Sequence, residues 1–148
     1  GIYLLPYLDV EKGNPFFQPL QRIGVTGILQ GYGKNEGWAN QTWFRTNDPV
    51  LWMELSGLKD VYPEINIPDT NTTLTMNDLL TLIEEITNKE KPILKKNLIA
   101  KAKDIYSKFG FPNFNVNNQL TRVEAAILID QILNPFDKEV DIRGNYIY

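Results

Sequence analysis

Leu120-Thr121-Arg122-Val123-Glu124-Ala125-Ala126, running on into Ile127-Leu128-Ile129-Asp130-Gln131-Ile132-Leu133, is the stretch on which the fold turns. Thr121 and Glu124 stand three apart just before an apolar run. That spacing is a capping box: the hydroxyl accepts from the backbone N–H of the third helical residue, whose carboxylate reaches back to the cap's own N–H. Two of the four N–H groups that every helix start leaves orphaned are thereby satisfied. Ala125, Ala126, Leu128, Ile129, Ile132 and Leu133 keep helical spacing, and Pro135 stops the run. The sequence predicts a helix from Thr121 to Leu133.

Working outward, the same grammar recurs. Thr75 and Asp78 form a shorter-armed capping box ahead of Leu79, Leu80, Ile83 and Ile86, which predicts a helix to about Thr87. A longer helix is expected over Pro92–Phe109, with Leu94, Leu98, Ala102, Ile105 and Phe109 inward and Gly110 and Pro112 ending it. Its lysines, Lys95, Lys96, Lys101, Lys103 and Lys108, fall mostly off that stripe and read as a solvated face. Further upstream, Asp48 and Pro49 predict a short helix over Pro49–Ser56, stopped by Gly57. Another is expected near Phe16–Ile23, capped by Asn14 or starting later at Pro19. Residues 24–48 read as irregular, with glycines in turns. Residues 57–73 read as a loop, and Val140–Tyr148 as a short strand or hairpin.

The 148 residues carry a net charge of −3, no cysteine and no histidine. Disulfides, thiolate nucleophiles, Ser–His–Asp triads and HExxH zinc sites are therefore excluded. The acidic balance argues against a nucleic-acid partner. No apolar run of membrane-spanning length occurs. No GxGxxG or P-loop spacing appears among the glycines, so no dinucleotide fingerprint is present, and no cofactor or metal is expected. Gly1, with no initiator methionine, reads as the remnant of a cut, so the chain is expected to be a piece of a larger protein.

Three helix starts, at Pro49–Leu55, Leu74–Leu79 and Leu120–Ala126, share one local pattern, and the third resembles the ITRAE segment of S-layer homology (SLH) repeats. Leu8-Asp9-Val10, Gly27–Gly31 and Trp43–Val50 resemble that family's other pieces, in its order. The resemblance implies a mainly α fold: a bundle of short helices built from SLH-like helix–loop–helix units, with little or no β. The units would span roughly 6–57 and 58–135, with a tail at 136–148. A narrower set, Tyr7–Val10, Gly27–Gly31, Gly37–Phe44, Asn134–Phe136 and Val140–Gly144, is similar to the C-terminal region of secreted, Bacteroides-type FAD-dependent oxidoreductases, some of them xanthan lyase-like. This implies an exported parent whose flavin domain lies upstream. The chain itself would be a non-catalytic accessory or scaffold domain packing on that upstream catalytic domain, in an extracytoplasmic location.

The alternative expectation is a carbohydrate-binding or surface-attachment module. Trp38 and Trp43 would offer apolar ring faces to sugar C–H groups, and Arg45 and Arg122 would grip an anionic sugar through paired bonds. In SLH repeats the Arg of the ITRAE motif helps bind wall polysaccharide. Only Arg122 keeps it, while Trp52 and Met76 stand at the matching positions of the other starts. The competing expectation is that the tryptophans fill the core and that Arg122 pairs with a carboxylate of an adjoining unit. Glu54, Asp78 and Glu124 are accounted for by helix starts, which leaves Glu84 and Glu85 on a solvated face.

Overall fold

The computed structural model describes residues 13, 15–26, 28, 29, 32–36, 39–44, 46–89 and 91–135. In chain order these form α1 (Phe17–Thr26), β1 (Tyr32–Glu36), β2 (Ala39–Trp43), a 3-10 turn (Trp52–Leu55), α2 (Leu58–Val61), α3 (Met76–Thr87), α4 (Lys95–Phe109) and α5 (Arg122–Ile132). The architecture is the expected mainly α bundle of short helices. Its β content among the described residues is one antiparallel hairpin and three isolated bridges.

α5 is the central element. Every residue from Ala125 to Asp130 is buried, and α1, α3 and α4 all pack on it. A helix with no solvent face must be apolar nearly all round, which the run Ala125–Ile129 supplies. Leu79, Leu80, Ile83 and Ile86 of α3 are buried as their spacing predicts, joined by Met76 and Leu82. In α4 Leu98 and Ala102 are buried as expected and Tyr106 joins them, while Ile105 and Phe109 are half-buried and Leu94 is exposed. Gly110 ends α4 at φ 73°. Its N–H bonds to the Ser107 carbonyl at 3.3 Å and that of Phe111 to the Tyr106 carbonyl at 2.9 Å. This is the Schellman pattern, and the Phe111 and Tyr106 rings supply its usual apolar contact, edge to face at 5.1 Å.

α1 keeps Pro19 as its third residue, within the first turn. A first-turn N–H has no intrahelical partner, so the missing donor costs nothing there. The Leu20 N–H makes the first bond, to the Phe16 carbonyl at 2.9 Å. The expected Asn14 cap and the hairpin at Val140–Tyr148 lie outside the described residues.

The three helix starts singled out in the sequence close into one backbone hub. The N–H of each first helical residue donates to a carbonyl in the approach to another start: Trp52 to Thr72 at 3.0 Å, Met76 to Asn118 at 3.0 Å and Arg122 to Asp48 at 2.8 Å. Each acceptor lies four residues before its own helix's first residue. The second helical residues repeat the cycle two positions earlier: Met53 to Thr70 at 2.9 Å, Asn77 to Val116 at 2.8 Å and Val123 to Thr46 at 3.0 Å. Bridges Pro49–Thr121, Leu51–Thr73 and Thr75–Gln119 follow the same rotation. The arrangement is cyclic, with approximate three-fold symmetry. Val50, Leu74 and Leu120, one from each approach, are buried inside it. N–H groups left orphaned by their own helices are thus satisfied across the chain.

Three local expectations are corrected. The segment 49–56 does not start as a helix at Pro49. Pro49 and Leu51 belong to the hub's extended bridges, and only Trp52–Leu55 winds, as a 3-10 turn. Asp48 uses its carbonyl on Arg122, because the hub claims the backbone the cap would have used. Within 57–73, where a loop is expected, Leu58–Val61 forms the single turn α2. Within 24–48, taken as irregular, β1 and β2 pair from Tyr32↔Trp43 to Glu36↔Ala39. The α1 helix also runs through Gly24 to Thr26, whose hydroxyl donates to the Ile23 carbonyl at 2.6 Å.

Candidate functional site

Arg122 is the sequence candidate that the structure places most fully. Its side chain is 1% exposed. Its Nε donates to the Phe44 carbonyl at 2.8 Å, its Nη1 pairs with Glu54 Oε2, and its guanidinium lies 5.0 Å from the Phe44 ring centroid. Arg122 therefore ties the start of α5 to the first helix start and to the residue following β2. That is the inter-unit ion pair of the competing expectation. The buried Arg122 guanidinium is engaged with Glu54 and Phe44. Trp38 and Arg45 lie outside the described residues. Trp43 ends β2, its backbone opposite Tyr32, and the placement of its side chain is outside the description. Trp52 is half-buried against the core.

The carboxylates of the three starts do what their spacing predicts. Glu124 Oε1 accepts from the Thr121 N–H at 3.0 Å and from its hydroxyl at 2.8 Å. Asp78 Oδ2 accepts from the Thr75 N–H at 3.0 Å. Glu54 Oε1 accepts from the Leu51 N–H at 2.8 Å. Leu51 has no side-chain acceptor, so only the returning half of a capping box exists there. Glu124 has a further partner: the Tyr106 hydroxyl donates to its Oε2 at 2.5 Å. Burial, then the hydrogen bond and the negative charge of Glu124, push the Tyr106 hydroxyl well above its ordinary pKa of 10.0.

Among the described residues, a polar cleft forms from side chains outside the sequence candidates. Asp130, on the sixth position of the buried run of α5, has a side chain only 1% exposed. A carboxylate so placed must be paired. Arg22 of α1 supplies a two-pronged pair, Nε to Oδ1 at 2.8 Å and Nη2 to Oδ2 at 2.6 Å. The Gln131 amide donates to Oδ2 at 2.9 Å. Beside them opens a cavity of about 310 Å³ lined by Arg22, Asp130, Gln131 and Asn134. Asn134, at φ 50°, ends α5 in the left-handed region, which asparagine tolerates better than most residues. The sequence did hold a signal: Asp130 stands four after Ala126 and three before Leu133, on the apolar face of its helix, so a buried cation had to be sought.

The cleft joins a guanidinium and a carboxylate whose charges cancel to two carboxamides. It can exchange hydrogen bonds with a small neutral polar ligand. Among the described residues no group of three or more carboxylates is placed to hold a metal ion, and no helix is long and apolar enough to cross a membrane. No family model, curated protein or solved structure matches this chain.

Proposed function

We propose that this chain is an accessory scaffold domain of a larger exported protein, resembling the C-terminal region of FAD-dependent oxidoreductases, and that it acts by packing on the parent's upstream catalytic domain. The observation that carries the reading is the use of charge at the helix starts. Arg122 and Glu54 join two of the starts, and Glu54, Asp78 and Glu124 each accept from the backbone N–H that opens their own, so all four are engaged within the chain. A chain that spends its ionic groups this way maintains a shape. The test is to delete these residues from the polypeptide that carries them. The remainder should lose secretion yield and melt several degrees lower, with activity per folded molecule unchanged. Unchanged yield and melting temperature would contradict the reading.

A second reading, a carbohydrate-binding module, is favoured by the cleft at Arg22, Asp130, Gln131 and Asn134. Its volume of about 310 Å³ is at the lower end of the range for small-ligand sites. On this reading the sugar is neutral and meets the α1–α5 cleft, not Arg122. Calorimetric titration with neutral methyl glycosides would decide it, and a flat trace for all of them would count against it.

A further inference from the structure

We propose that the outer face of α4 docks on an anionic lipid surface. Residues 89–108 hold seven lysines and two carboxylates, a net charge of +5, whereas the whole chain carries −3 and the remaining residues therefore −8. Five of the seven lysines lie on α4, and Lys89, ahead of it, pairs with Glu64. Lys91, Lys96, Lys101 and Lys103 are exposed, and none has an ion pair or hydrogen bond within the described chain. Lys108 is also exposed, with its amine 5.6 Å from the Phe109 ring centroid. In an acidic chain, lysines that find no carboxylate are held where an external anion can reach them.

Geometry favours a plane over a thread. At about 100° per residue, Lys96 and Lys103 fall on one margin of the outer face and Lys101 and Lys108 on the other, opposite the buried Leu98, Ala102 and Tyr106. Asp104 lies between the two rows. A single polyanionic strand would follow one row and leave the other unused. A flat surface meets both, because the long lysine stems lean outward from each margin. The acidic remainder of the chain is repelled from the same surface, which fixes α4 as the side that faces it.

Leu94, 60% exposed just ahead of Lys95 and Lys96, adds an apolar contact at the same end. Because the apolar stripe of α4 is used within the bundle, the helix lies on the headgroups and does not insert.

The test is co-sedimentation of the whole chain with neutral phosphatidylcholine vesicles and with vesicles about one-third phosphatidylglycerol. Binding is expected on the anionic vesicles at about 50 mM salt and should be lost at about 500 mM, where screening shortens the reach of charge. Each lysine near such a surface is worth about fivefold in partition, so Lys96→Glu with Lys103→Glu should weaken binding by at least about 25-fold. Both sites are exposed, and the variant's circular dichroism spectrum should match the parent's. Equal partition onto neutral and anionic vesicles, or an unaffected double variant, would overturn the proposal. So would duplex DNA competing as well as the vesicles, since that would put a thread in place of the plane.

Discussion

The hub of helix starts and the outer face of α4 use charge in opposite ways. At the hub, Arg122 and Glu54 are taken out of water, and each has more than one partner. On α4, Lys96, Lys101 and Lys103 stand in water with no hydrogen bond or ion pair among the described residues. A buried ion pair offsets its desolvation only when every lone pair and proton is satisfied, and removing one partner then strands the other. An exposed charge loses little on removal. The first region is therefore expected to govern stability and the second association.

The largest effect should come from Arg122→Met. It leaves Glu54 without its cation and the Phe44 carbonyl without its donor, at a cost of about 3–5 kcal/mol in urea unfolding. Next, Tyr106→Phe removes the hydrogen bond to Glu124, at about 1.5 kcal/mol. The same bond makes a pH prediction. The native hydroxyl is held protonated above the ordinary value of 10.0, so the stability it lends is complete below pH 10 and falls as pH rises beyond it. In the Phe variant that alkaline loss should shrink, as a series of unfolding midpoints would show.

Thr121→Ala removes a side-chain cap and should cost about 1 kcal/mol. Leu51→Thr supplies the side-chain cap that the first start lacks, yet should gain less than about 0.5 kcal/mol, because the Glu54 N–H already bonds the Leu51 carbonyl at 3.0 Å. At the small end, Lys96→Glu with Lys103→Glu should leave the unfolding free energy within about 0.5 kcal/mol of the parent while weakening vesicle binding by at least about 25-fold. A large stability loss there would erase the contrast between the two regions.

What was legible in the sequence follows the range of the interactions. The α3 and α5 starts could be read because a capping box is written within four residues. The hub could not, because Arg122 bonds to Asp48 and Met76 to Asn118, partners remote in the chain that no local pattern encodes. The similarity of the three starts pointed to a repeat but not to its closure. The hairpin was hidden by glycines: Gly33 lies within β1, although Gly37-Trp38 between two short polar runs is a hairpin signal. On α4 the periodicity allowed either Ile105 or Tyr106 to face inward, and the acceptor at Glu124 decides for Tyr106. Of the candidate site, Arg122 was legible from its place in the capping box, while its bonds to Glu54 and Phe44 span too much chain for a local pattern to show. The Arg22–Asp130 cleft was legible only as one carboxylate in an apolar run, since its partner lies 108 positions away.

The central claim is that Arg122 and Glu54 act together to lock the helix starts. A double-mutant cycle with Arg122→Met and Glu54→Gln, which keeps the cap on Leu51, measures this directly in chemical unfolding. A coupling energy of at least about 2 kcal/mol is expected for a buried pair. Additivity of the two substitutions within about 0.5 kcal/mol would contradict it.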